Sequence, residues 1–271
     1  MPEISSAKLS IRPELLPCGE QARVLDVGCG DGRHIAAAAT RGCRAVGVDY
    51  DPNELRKART RLGGHHVGVD LVVADATRLP FRDAAFDAAI CTETLEHLPD
   101  DRGAIAEVAR VLRDSALLHG AVPSHFTELV YWRLSRGYYR TPGGHVRIYA
   151  PKVLTRRLAE RGLRVRDVRY IHFVDSLVWL RFCLADAFLP KRQPRSDFEA
   201  AVLIAEAQMR PVAGWRRRLR RALATSRFIA ALDTAGALVW PKSFAFVAEK
   251  RPGRGAPGRG GARDGTAAGS R

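Results

Sequence analysis

Between residues 22 and 122 short apolar runs alternate with helical patterns, and this constrains the chain more than any other feature, because strand–helix–strand units build a parallel sheet covered on both faces. Strands are expected at 23–27, 44–49, 70–74, 86–91 and 116–122, with helices at 34–41, 52–62 and 101–112. Asp100 or Asp101 opens the third helix as an N-cap. Its apolar positions Ile105, Val108, Ala109 and Leu112 recur at three-and-four spacing, which makes one face to pack on a sheet.

The rhythm breaks beyond residue 123. Residues 124–148 are rich in aromatics, Gly and Arg without a clear period. Helical spacing returns at 151–161 and is ended by Gly162. Residues 164–173 then alternate as a strand, and 242–250 (KSFAFVAEK) is the only later segment with strand pattern. The stretch between them, 174–241, is largely helical by spacing and reads as an inserted module. Residues 251–271 are dominated by Gly, Arg and Ala without apolar periodicity, which predicts a disordered tail.

Charge divides the chain the same way. Of 44 basic and 29 acidic residues, giving a formal net charge of +15, residues 1–123 carry 15 and 18 and residues 124–271 carry 29 and 11. The second half therefore suits an anionic partner. A GC-rich genome would also account for an Arg-heavy composition, though not for the asymmetry. Cys18, Cys29, Cys43, Cys91 and Cys183 are odd in number and never spaced C-x-x-C, so they read as reduced thiols, with no disulfide framework and no metal site expected. Residues 1–14 contain no apolar core of a secretory signal. The apolar stretch 171–190 is interrupted by His172, Asp175, Arg181 and Asp186, so it is expected not to span a membrane, although it has the makings of a segment that lies on one.

Four segments carry chemistry. The first strand runs into V-L-D-V-G-C-G-D-G at 24–32, where Gly28, Gly30 and Gly32 permit a sharp turn and close approach of a ligand to backbone. The spacing is not G-x-G-x-x-G, and Asp26 just ahead of the glycines suits an ammonium or amide and repels a pyrophosphate. Asp49 ends the second strand, where a carboxylate accepts both hydroxyls of a ribose. Asp75, at the end of the third, is placed to accept from an exocyclic amine, within D-A-T-R-L-P-F-R-D-A-A-F-D at 75–87. C-T-E-T-L-E-H-L at 91–98 follows the fourth strand, again at the carboxyl edge where open α/β sheets bind ligands.

In this order and spacing the segments resemble the class I S-adenosylmethionine-dependent methyltransferases, in particular the subgroup reading LDxGCGxG, LPFxDxxFD and EHL. The likeness covers roughly residues 20–123, and G-H-V-R-I-Y at 144–149 is similar to a later part of the same subgroup. The resemblance implies a Rossmann-like α/β fold: a seven-stranded, mostly parallel sheet whose last strand, here 243–249, runs antiparallel between the fifth and sixth. The methyltransferase domain would comprise 1–123, 149–173 and 242–250. Residues 124–148 would form an insert near the substrate side, and 174–241 a helical insertion serving as lid, substrate cover or membrane-facing element. S-adenosyl-L-methionine is the implied cofactor. Asp26, Gly28, Cys29, Gly30 and Gly32 would line its methionine moiety, Asp49 and Tyr50 its ribose, and Asp75 and Ala76 its adenine. Thr92, Glu93 and His97 would border the sulfonium. Where the subgroup has Lys-Pro-Gly-Gly before the fifth strand, this chain has Arg113-Asp114-Ser115-Ala116, so Asp114 or Ser115 must take the unusual backbone angles.

A methyl group on a sulfonium needs mainly alignment and exclusion of water, and a base only when the acceptor is a neutral hydroxyl or acidic carbon. His97 and Glu93 are the catalytic candidates, and His125, Tyr139, His145 and Tyr149 the candidates for the substrate wall. The expected enzyme is an S-adenosylmethionine-dependent methyltransferase (EC 2.1.1.-) acting on oxygen or carbon of a sizeable apolar or lipid-linked small molecule, cytoplasmic and placed to touch a membrane through 174–241. An RNA methyltransferase using the basic half and a non-catalytic scaffold of the same fold are the alternatives.

Overall fold

The computed structural model describes residues 9–63, 68–135, 144–188 and 227–252. Seven strands form one sheet: β1 (Arg23–Val27), β2 (Arg44–Asp49), β3 (Val69–Val73), β4 (Phe86–Thr92), β5 (Leu112–Pro123), β6 (Leu163–Ile171) and β7 (Ser243–Lys250). Their order is β3-β2-β1-β4-β5-β7-β6. The first five pair in parallel, and β7 runs antiparallel between β5 and β6. The Rossmann-like class is therefore present. The order reverses at β1/β4, the position where sheets of this kind open a crevice beyond the carboxyl ends of their strands.

Strand alternation sorts the core into two layers. Leu25 and Val27 of β1 point to one face with Val46, Val48, Phe86, Ala89, Leu118 and Phe246, and are covered by α3 (Asp101–Val111) and the later helix α5 (Pro151–Glu160). Val24 points to the other face, against Ile35 and Ala36–Ala38 of α1 (Arg33–Ala39), and is closed by Ile11 and Leu16. Asp26 shares that second face. Helix α2 (Pro52–Leu62) starts as its sequence dictates: Asp51 caps it by accepting from the Asn53 N–H at 2.8 Å, and Pro52 takes the first turn. The side chain of Asp100 caps α3 in the same way, through Gly103 N–H at 2.9 Å.

Element boundaries differ from expectation by a residue or two, except at β5, which begins at Leu112 because the substituted turn is absorbed into the strand. Ser115 takes the positive φ of 65° there. The larger difference lies within 124–148, where α4 (His125–Leu134) leads directly off β5. Its buried face is Thr127, Glu128 and Tyr131, so no apolar period announces it. Thr127 Oγ1 donates to Pro241 O at 2.7 Å, and the Tyr131 hydroxyl donates to Ser176 O at 2.8 Å. That hydroxyl also accepts from Trp240 Nε1 at 3.3 Å. Polar bonds thus join α4 to α6 (Phe173–Phe188) and to the segment entering β7. Helix α7 (Arg227–Gly236) precedes that segment, and Val174 N–H donates to Asp233 Oδ1 at 2.7 Å. Leu177, Val178, Leu184, Leu232, Leu238 and Val239 are exposed around this layer. No helix among the described residues is long and apolar enough to cross a membrane. Tyr139, the arginine-rich W-R-R-R-L-R-R at 215–221 and the tail beyond 252 lie outside the described residues.

Candidate active site

The turn after β1 is built by left-handed glycines. Gly28, Gly30 and Gly32 have φ of 69°, 51° and 80°, a region costly for any side chain. A Cβ on Gly28 would lie 2.3 Å from Thr94 Oγ1, whereas one on Gly30 would meet nothing within 4 Å, so Gly30 faces open space at the sheet edge. The turn is anchored to β2: Gly28 and Cys29 N–H donate to Val48 O at 2.8 and 2.9 Å. Gly30 N–H donates to Asp49 Oδ2 at 2.9 Å, and Asp51 N–H to Asp49 Oδ1 at 2.9 Å. Each oxygen of Asp49 keeps a further lone pair. Tyr50 beside it is 80% exposed.

Asp26 lies beneath this turn, 1% exposed, with neither carboxyl oxygen hydrogen-bonded. Burial pushes its pKa up to about 7, outweighing the Arg33 charge and the backbone at Ile35, while Asp49 and Asp31 push it the same way as burial. A buried, unpartnered carboxyl of this kind suits a ligand that brings an ammonium. Asp75 spends one oxygen locally: Oδ1 accepts from Thr77 N–H and from Thr77 Oγ1, both at 2.8 Å, which holds its pKa below the usual range. Ala76 beside it is buried.

Two of the candidates are buried. Thr92 is buried, with its hydroxyl against His34. Ser10 N–H donates to His34 Nε2 at 3.3 Å, so that nitrogen is unprotonated and Nδ1–H donates to Thr92 Oγ1 at 2.9 Å. Burial lowers the His34 pKa to about 3, which keeps the ring neutral. Tyr149 is 3% exposed, and its hydroxyl donates to Asp101. Asp101 also pairs with Arg147 and Arg157. Burial raises the Asp101 pKa, but these three partners together outweigh it, and the carboxylate stays below its usual range.

Glu93 and His97 stand at the carboxyl edge after β4. Glu93 has φ of 51°, accepts from Ser243 Oγ at 2.8 Å, and lies 4.0 Å from Lys242 Nζ. His97 Nδ1 meets Gly144 O at 3.3 Å, and the His97 and His145 rings stand edge to face at 4.8 Å. His145 in turn meets Glu128 Oε1 at 2.5 Å, and the same oxygen accepts from Trp132 Nε1 at 3.0 Å. The structure therefore brings His97 and His145 together, with the segment 144–149 strapped along 95–99: Val146 N–H donates to Glu96 O at 2.9 Å, and Arg147 to Leu98 and Pro99 carbonyls at 2.5 and 2.7 Å. His125 opens α4, just beyond β5, with Nδ1 buried and unbonded. Sequence reasoning passed over Glu96, which is fully buried with both carboxyl oxygens unbonded. Burial and the neighbouring Glu93 and Glu128 raise its pKa well above the usual carboxylate range. It also passed over Glu128. Glu96 was visible in the EHL segment, but nothing in the spacing marks Glu128.

A sheet in this order, with a glycine turn after β1 and a carboxylate ending β2, is the fold of the class I S-adenosylmethionine-dependent methyltransferases. Residues 25–119 match the family model described as a methyltransferase domain. It is 38% identical over 98 residues to O-methyltransferase resE of Aspergillus sclerotiorum, a match covering 35% of this chain and 37% of that protein. It is 35% identical over 107 residues to 27-O-demethylrifamycin SV methyltransferase of Amycolatopsis mediterranei, covering 38% and 39%. The matched segment thus spans under two-fifths of each of these two relatives. Among solved structures, a SAM-dependent methyltransferase from Methanosarcina mazei aligns with a TM-score of 0.53 at 18% identity, over 90% of this chain and 99% of that one, a likeness of fold.

Proposed function

We propose that this chain transfers the methyl group of S-adenosyl-L-methionine to an oxygen or carbon of a sizeable apolar or lipid-linked small molecule. The observation that carries this reading is Asp26: a buried carboxyl without a hydrogen-bond partner, under a left-handed glycine turn, at the point where strand order reverses. When bound, the cofactor supplies an electrophilic methyl on a sulfonium. Asp26 would face its ammonium, the Gly28–Gly32 backbone its methionine chain, the remaining lone pairs of Asp49 its ribose hydroxyls, and Asp75 Oδ2 its adenine amine. Glu93 and His97 would border the acceptor, and either can take a proton if the acceptor is a neutral hydroxyl. Alignment of acceptor and sulfonium supplies most of the remaining rate.

The names of the two curated relatives point to oxygen as the methylated atom. The exposed apolar side chains of α6, α7 and 238–239 support an apolar acceptor or a lipid surface beside it. The test is incubation of the purified chain with methyl-labelled cofactor and, separately, the lipid, small-molecule and RNA fractions of a cell extract. Label is expected in an organic-soluble product. Label in RNA alone, or in no fraction, contradicts the reading.

A further inference from the structure

Glu96 and His97 occupy the short 3-10 turn after β4, and His145 reaches them from the strap at 144–149. Each offers one ligand atom, and the three atoms lie within 4.8 Å of one another. Ligand atoms about 2.1 Å from a common ion lie about 3.0 to 3.4 Å apart, so side-chain rotations closing about 1.5 Å complete the set. Both rings are already oriented from behind: His97 Nδ1 against Gly144 O, and His145 Nδ1 against the buried Glu128, itself held by Trp132. Imidazoles that bind metal are oriented in this manner, with one nitrogen on a carbonyl or carboxylate. A separate observation points to a ligand: Glu96 is fully buried and neither of its carboxyl oxygens has a hydrogen bond. An unpartnered carboxyl in the interior is costly, and a cation removes that cost. The nearby Lys242 is directed to Glu93.

We propose that Glu96, His97 and His145 bind a first-row divalent cation of the zinc or cobalt kind, with Glu128 as the residue that positions His145. Two imidazoles and one carboxylate suit such ions and leave coordination positions open. At a remaining coordination position the ion would take the hydroxyl oxygen of the acceptor and lower its pKa, the proton passing to Glu93 or solvent as the methyl moves from sulfur to that oxygen and S-adenosylhomocysteine leaves, so that His97 serves as ligand rather than base. That last role rests on the methyltransferase reading, whereas binding of the ion does not.

The test uses the full chain, stripped with a chelator and dialysed, titrated with Co2+ by visible absorption and with Zn2+ by calorimetry. Uptake of S-adenosylhomocysteine is measured on the same samples. One equivalent per chain is expected, with affinity reduced at least tenfold in Glu96→Gln and His145→Ala and severalfold in Glu128→Gln. Glu96→Gln preserves shape, so it keeps the test valid if His145→Ala does not fold, and circular dichroism checks both. His65→Ala controls for binding at the consecutive histidines 65 and 66 of the sequence and is expected to bind as the unaltered chain does. Absence of saturable binding, equal binding by Glu96→Gln, or a loss confined to His65→Ala overturns the site. One equivalent of Co2+ in a chain that takes up no S-adenosylhomocysteine supports the ion site and overturns the methyltransferase reading.

Discussion

The Gly30 N–H donates to Asp49 Oδ2 at 2.9 Å, tying the glycine turn of β1 to the carboxylate that ends β2. One side chain therefore shapes the turn and stands at the carboxyl edge of the sheet, with Asp51 N–H holding its other oxygen. Asp49→Ala loses both contributions. Hydrogen bonds to a charged group contribute about 1.5 to 3 kcal/mol each, so affinity for S-adenosylhomocysteine should fall about 10- to 100-fold with little change in overall fold. Calorimetric titration beside circular dichroism measures both, and unaltered affinity would show that Asp49 faces no ligand.

Asp101 gathers Tyr149, Arg147 and Arg157 around one buried carboxylate, and through them fixes the strap that carries His145. Removing its charge leaves two guanidinium groups without their partner. Asp101→Asn should destabilise the fold by about 2 to 4 kcal/mol. Because the folded pKa is depressed, this contribution is present above the unfolded value near 3.8 and is lost as pH falls through the folded one. Denaturant unfolding at pH 7 and again near pH 3 should show the difference between the two proteins shrinking in acid.

Much of this was legible from the chain. Strand β1, the glycines and Asp49 could be placed because β-α-β alternation and a D-x-G-x-G-x-G turn are local signals whose geometry follows from backbone sterics. Helix α4 was not legible, because its inward face is polar and is satisfied by bonds to Ser176, Pro241 and His145, residues distant in sequence. The burial of Thr92 and of Tyr149 escaped for the same reason: their partners, His34 and Asp101, lie 58 and 48 residues away. The convergence of Glu96 with His145 likewise depends on the strap.

Acid should unfold the protein early. His34 and His119 are buried neutral, with burial lowering their pKa values to about 3 and about 4. A depressed histidine costs stability as pH falls below the unfolded value of 6.5, and the cost is complete once pH drops below the folded value. At pH 5 each contributes a loss of about 2 kcal/mol. Neither ring nitrogen of His119 has a hydrogen bond, so His119→Leu removes a titrating group without breaking a partner. Its acid midpoint, followed by circular dichroism, should move to lower pH; an unmoved midpoint would show that His119 is not part of the transition.

The central claim is that Asp26 and the glycine turn hold the charged end of S-adenosylmethionine, and calorimetric titration of the folded chain with that nucleoside from pH 6 to pH 8 tests it most directly. With the Asp26 pKa near 7, a ligand that requires the ionised carboxylate binds about tenfold more tightly at pH 8 than at pH 6, and releases a proton at the lower pH. One equivalent of binding with that pH dependence, weakened and made pH-independent by Asp26→Asn, is the predicted result. Folded protein that gives no heat with the nucleoside, or binds it equally well with asparagine at position 26, would contradict the account.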